Sequence, residues 1–366
     1  MLRPKPGIER LVPATHGGID YAELGRLGIR AGDVLDFSVS TNPFGPPPGI
    51  QEAICKVQVD RYPDSESSEL KALLAGKLGT SPDNLLVGSG STELFRLIAL
   101  AYFSPDDTVL VPQPTYGDYE NVCRLVDAGV VKSTVIDAQG GFLMNAGSLI
   151  SEIRRTCPRG VFLCNPNNPT GQYFAAADVK AILTEVKDGM VVLDEAYIAF
   201  TENAWPSLDL INSGNLVVVR SMTKDYGLAG LRLGYAVASP EIISTLKLVR
   251  PPWHVSAVAQ AAGVFALNSR GYLETCARKI QEAKQFLIDE LKNLGFEPLS
   301  SQANFFLVKV SSAVTLREAL LRKGILVRDC TSFGMPDYIR LAPRSIPECR
   351  KLLAAINSAR SDTDAG

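Results

Sequence analysis

A chain of 366 residues, 46% hydrophobic and 21% charged, has globular composition and length for two or three domains around a buried core. A formal net charge of −2 without any block of Lys or Arg speaks against a nucleic-acid or anionic-membrane surface, so an anion site must be local. Seven scattered cysteines without a C-x-x-C, and only His16 and His254 as histidines, argue against a disulfide framework or a multi-histidine metal site.

The N-terminus, MLRPKPGIERLVP, sets prolines and charges where a signal peptide needs an apolar stretch. No later apolar run would span a bilayer, and a cytoplasmic protein is expected. Residues 1–45 carry no βα pattern and are expected to pack on a small C-terminal domain. Within and beyond them, TNPFGPPPG (41–49) holds too much Pro and Gly for regular structure. Residues 46–255 alternate apolar runs with helical patterns. NLLVGSG (84–90), TVLVPQP (108–114), GVFLCNP (160–166), MVVLDEA (190–196), NLVVVRS (215–221) and RLGYAVA (232–238) read as strands, most of them apolar on both faces. STELFRLIALAYF (91–103) and AAADVKAILTEVK (175–187) read as helices. This predicts a large α/β domain with a mostly parallel sheet covered on both faces. In residues 256–366 a long helical stretch (257–295) leads into strands at NFFLVKV (304–310), ILVR (325–328) and YIRLAP (338–343), the texture of a smaller α+β domain.

Open α/β sheets bind ligands beyond the carboxyl ends of their strands. Several apolar runs here end in residues capable of chemistry. Lys224 follows NLVVVRS, with Ser221 before it and Arg232 after it. A lysine amine near other cations, or desolvated, deprotonates more easily and can form a Schiff base; most lysines in isolation are simply solvated. Serine and arginine together suit a phosphate monoester. Asp194 ends MVVL, where a buried carboxylate needs a partner, unless it serves as a helix N-cap. G-S-G-S-T-E (88–93) opens a helix whose Ser91 and Thr92 amides can hold a phosphate, although it lacks the lysine of a P-loop. NPNNPTG (165–171) is a turn that leaves Asn168 free to face a ligand. Tyr116, in QPTYGDY, either stacks on a ligand ring or is a half-buried aromatic beside a turn.

Taken in order, N-P-x-G, R-Y-P-D, G-S-G-S-T-E, P-T-Y, N-P-N-N-P-T-G, D-E-A-Y, S-x-T-K, G-L-R-x-G and a late Y-I-R resemble the fold-type I pyridoxal-5'-phosphate (PLP) enzymes, over about residues 10–358. The branch they resemble is that of the histidinol-phosphate aminotransferases. The resemblance implies an aspartate-aminotransferase-like fold: a large domain with a seven-stranded-type sheet, and a smaller α+β domain. It implies Lys224 as the Schiff-base lysine and Asp194 as partner of the ring nitrogen. Asn168 and Tyr197 would bind the ring's phenolic oxygen, and Tyr116 would stack on the ring. Ser221, Arg232 and the Ser91–Thr92 amides would hold the cofactor phosphate. Tyr62 of R-Y-P-D looks like the residue that reaches the neighbouring subunit's cofactor, which implies a homodimer with shared active sites. Arg340 looks like the clamp for the substrate α-carboxylate.

Within that branch three features look closer to the L-threonine-O-3-phosphate decarboxylases of cobalamin biosynthesis. They are His16-Gly17-Gly18 followed by D-F-S-x-x-x-N-P with Asn42, then I-L-V-R-D-C with Arg328, and finally Arg344 four residues after Arg340. On them the expected reaction is decarboxylation of threonine phosphate, with His16, Asn42, Arg328, Arg340 and Arg344 at the substrate. Histidinol-phosphate transamination with 2-oxoglutarate is the alternative. The bland alternatives for Arg344 and His16 are a solvated strand end and a structural histidine. A PLP-binding transcription regulator would need a basic DNA-binding domain ahead of the fold, and the resemblance begins near residue 10. A dinucleotide-binding dehydrogenase would need a third glycine that GSGSTE lacks.

Overall fold

A computed structural model describes residues 2, 6–9, 11–134, 136–137 and 141–364. All six strands expected in the large domain form: Leu85–Gly88, Thr108–Pro112, Gly160–Cys164, Met190–Asp194, Leu216–Ser221 and Gly234–Val237. A further strand, Gly129–Ser133, completes a seven-stranded sheet. Across the sheet the order is Leu85–Gly88, Gly234–Val237, Leu216–Ser221, Met190–Asp194, Gly160–Cys164, Thr108–Pro112 and Gly129–Ser133. Only Gly234–Val237 runs antiparallel to its neighbours.

Strand geometry divides each run between two cores. Val191 and Leu193 face one side of the sheet, and Met190 and Val192 the other. Helices Ala146–Thr156, Ala176–Glu185 and Ala257–Asn268 cover the first side, and Ser91–Tyr102 and Pro240–Val249 the second. Side chains buried this fully each contribute about 1.5–3 kcal/mol of apolar transfer energy. Both faces are buried, which is why the runs are continuous rather than alternating.

The stretch expected as one long helix is two, Ala257–Asn268 and Tyr272–Asn293, separated at Gly271 with φ of +70°. A left-handed glycine redirects the chain at no steric cost. Ala259, Ala262 and Ala266 of the first helix pack in the large core, whereas Leu287 and Leu291 of the second enter a separate one. The boundary drawn from sequence at 255/256 therefore lies ahead of a helix that packs with the large sheet.

That separate core lies under a three-stranded antiparallel sheet ordered Phe306–Lys309, Tyr338–Leu341, Arg328–Asp329. The N-terminal segment joins it. Leu35–Asp36 pairs in parallel with Ile325–Leu326, and Phe37 is fully buried in the same core. Among the described residues no helix is long and apolar enough to cross a membrane.

Candidate active site

The parallel strands all point their carboxyl ends at one edge of the sheet, and there they deliver Ser91 and Thr92, Tyr116, Asn168, Asp194 and Tyr197, and Lys224 to one cavity of about 670 Å³. The antiparallel strand arrives by its amino end, so Arg232, two residues before Gly234, reaches the same place. His16, Arg328 and Arg340 close the cavity from the N-terminal segment and the small sheet.

Lys224 is held by its backbone. Its carbonyl accepts from the Asn42 amide at 2.8 Å, and the Asn42 side chain donates to the Asp225 carbonyl at 2.9 Å. Asn42 thus fixes the segment that carries the lysine and does not itself line the cavity. No hydrogen bond or ion pair reaches the Lys224 amine among the described residues. Burial lowers its pKa to about 8, with repulsion from Arg340 and Arg232 added and the Asp194 charge opposing.

Asp194 is 4% exposed. Its Oδ2 accepts from the Tyr119 hydroxyl at 2.6 Å and its Oδ1 from the Ala196 amide at 2.9 Å. Burial raises its pKa to about 6 against these two bonds.

The helix Ser91–Tyr102 begins at Gly90, with φ of 81° and ψ of 167°, and opens toward the cavity. A Cβ on Gly90 would lie 2.8 Å from Arg232 Nη2, and one on Gly234 3.1 Å from the Ser91 amide nitrogen. Gly90 therefore leaves space beside the guanidinium and Gly234 beside the Ser91 amide, and Ser91, Thr92 and Arg232 all line the cavity, donors suited to cradle an anion. Ser221 stands behind it, bonded to Thr223 Oγ1 at 2.7 Å, and Thr223 rather than Ser221 lines the cavity.

At the other end Arg340 donates through Nη1 to Asn168 Oδ1 and through Nη2 to the Ser38 carbonyl at 2.8 Å. Its guanidinium lies 4.8 Å over the Phe305 ring, and its Nε is buried without a partner. Arg328 donates to the Thr15 carbonyl at 2.7 Å and to Ser332 Oγ at 2.6 Å. Burial and the adjacent Arg340 charge lower its pKa. His16 Nε2 lies 3.6 Å from Asp118 Oδ2, which also accepts the Tyr116 hydroxyl at 2.7 Å.

Besides Asn42 and Ser221, two more expected residues lie outside the cavity. Arg344 is not in the cavity, and the substrate role expected for it is corrected. It binds Glu348 Oε1 through Nε at 3.0 Å and Nη2 at 2.9 Å, and reaches the Asp36 carbonyl at 3.3 Å. A carboxylate one helical turn on has taken its charge. Tyr62 is 77% exposed and stacks on Trp253 at 4.3 Å, outside this chain's cavity. Residues not anticipated are Tyr119, behind Asp194, and Arg96, which lines the cavity one turn along from Thr92. Tyr119 lies three residues after Tyr116, a spacing that marks the start of a helix as readily as a site.

A family model, Aminotransferase class I and II, matches residues 32–356. The chain belongs to that family. It is 36% identical over 360 residues to the histidinol-phosphate aminotransferase of Symbiobacterium thermophilum, covering 97% of this chain and 98% of that one. A provisionally named threonine-phosphate decarboxylase of Caldanaerobacter subterraneus is 33% identical over 358 residues, covering 95% and 94%. The solved histidinol-phosphate aminotransferase of Sinorhizobium meliloti, in complex with PLP, superposes with a TM-score of 0.88 at 26% identity, over 99% of this chain and 98% of that one. PLP is the cofactor of this aminotransferase family, and the residues present fit it: an anion cradle, a buried carboxylate and an unpartnered amine share one cavity. Ser91, Thr92 and Arg232 would hold its phosphate, Asp194 its ring nitrogen, Asn168 and Tyr197 its ring oxygen, and Lys224 its aldehyde carbon.

Proposed function

We propose that the aminotransferase transfers the amino group of histidinol phosphate to 2-oxoglutarate, as a cytoplasmic homodimer. The observation that carries the reading is the pair of buried guanidiniums, Arg328 and Arg340, facing an amine that burial keeps partly neutral. PLP, when bound, supplies a sink for the electrons released at the substrate carbon. Lys224 Nζ would take the proton from that carbon and deliver it to the cofactor's aldehyde carbon, the shift that transamination needs. The arginines hold the phosphate of one substrate and the distal carboxylate of the other. A relative named histidinol-phosphate aminotransferase, 36% identical over nearly the whole chain, supports this choice. Tyr62, exposed beside Trp253, would serve the partner's cofactor phosphate.

Decarboxylation of threonine phosphate, the reaction expected first from the sequence, is a second reading. Two observations favour it: His16 at the cavity and the Caldanaerobacter relative. It has lost Arg344, one of the features that motivated it. The two reactions separate in one experiment on PLP-loaded protein. Transamination predicts that glutamate alone, and histidinol phosphate alone, each bleach the visible band of the bound cofactor. CO2 released over many turnovers from L-threonine O-3-phosphate, without any keto acid, would replace it by the decarboxylase.

A further inference from the structure

Tyr119 is fully buried, and its ring is fixed by its neighbours. It stacks on Phe162 at 4.8 Å and 16°, and meets Phe95 at 5.2 Å and Tyr116 at 5.4 Å edge-on. So held, its hydroxyl points at one carboxylate oxygen, Asp194 Oδ2, at 2.6 Å. A carboxylate has room for about four acceptor contacts. The Tyr119 hydroxyl and the Ala196 amide take one on each oxygen, which leaves lone pairs for a donor in the cavity.

The carboxylate is in an unfavourable place for its charge. Burial pushes Asp194 toward the neutral acid, which could not hold a proton on a ring nitrogen. A donor to the charged form opposes this. Burial also raises the Tyr119 hydroxyl well above its ordinary range, so it remains a donor at every working pH.

We propose that Tyr119 is a positioning residue: its hydroxyl keeps the Asp194 carboxylate ionised and aimed into the cavity, and so sets how firmly the site keeps the PLP ring nitrogen protonated. The inference rests on the PLP reading of the cavity and extends it by one residue. Tyr119 touches neither substrate nor cofactor in this role. It acts only through Asp194.

The test is Tyr119→Phe, which keeps the ring and removes the hydroxyl. Apo-protein is titrated with PLP, and the visible band of the bound cofactor is followed against pH. The expected result is a dissociation constant for PLP raised about tenfold, the scale of one hydrogen bond to a charged group. The pH midpoint of the band should rise, because a less protonated ring lets Lys224 Nζ keep its proton to higher pH. In an Asp194→Asn background the same substitution should change neither quantity, since the two residues act through one contact. If Tyr119→Phe does not fold, fluorotyrosine at 119, a stronger donor with nearly the same shape, should lower the midpoint. A midpoint unmoved by Tyr119→Phe, or moved equally with and without the Asp194 carboxylate, overturns the role of Tyr119 alone. Wild-type protein that gains no visible band with PLP overturns the cofactor reading, and Tyr119's role with it.

Discussion

Arg328 and Arg340 are direct partners across the antiparallel pair of the small sheet, so their side chains leave it on the same face and both reach the cavity. Like charges set opposite one another repel. The relationship is relieved by an anion between them, and it gives the first prediction. Arg340→Ala should raise KM for a phosphorylated substrate by about 10- to 100-fold, the worth of a charge-assisted hydrogen bond. Inorganic phosphate should raise the melting temperature of the wild type more than that of the variant. Equal protection of both would remove Arg340 from the anion site.

Arg344→Ala supplies the contrast. Its side chain is 25% exposed and its guanidinium is spent on Glu348. Steady-state kinetics should give KM within about twofold of wild type and a stability loss of no more than about 1 kcal/mol. A large KM effect confined to doubly anionic substrates would restore the role that its position after Arg340 suggested.

Lys224→Met bears on both chemistry and stability. The variant should form no borohydride-fixable link to PLP, read by mass spectrometry of the peptide, and should lose about 1000-fold or more in turnover. Lys224 has its folded pKa depressed from 10.5 to about 8, so its contribution to stability is fully present above pH 10.5 and is lost as pH falls through 8. Below pH 8, apo Lys224→Met should therefore be more stable than wild type by about 3 kcal/mol, with the gap closing between pH 8 and 10.5. Urea unfolding at pH 7 and pH 10 checks this. A gap that does not narrow would mean that the amine is solvated.

Gly90→Ala places a methyl group against Arg232 in a backbone region that only glycine adopts freely. PLP affinity, measured by absorbance titration, should fall about tenfold or more. Unchanged affinity would show that the helix start and Arg232 do not close on the phosphate together.

The site was legible where chemistry and burial conflict. Asp194 ends, and Lys224 closely follows, a run of apolar residues that a buried strand explains, and a charged group there demands a reason. The edge strand Gly129–Ser133 was missed for the opposite cause: Gly129 and Lys132 are exposed and the run has no unbroken apolar face. The break between Asn268 and Tyr272 was hidden because helical periodicity continues on both sides of it. Arg344 departs from the role its place after Arg340 suggests because a competitor lies close in sequence. Glu348 stands four residues on, the spacing at which a helix brings opposite charges together. Tyr119 was invisible for a deeper reason: its partner lies 75 residues away, and only the sheet brings them together.

Ser221 and Gly234 face one another across adjacent strands, so the connection that bears both Lys224 and Arg232 is a loop clamped at its two roots. Lengthening that loop would part the amine from the guanidinium. The arginines of the small sheet have no such tether to it, because they are carried by a different core. Changes in the small sheet can therefore alter what the arginines hold without disturbing the clamped loop that carries the amine.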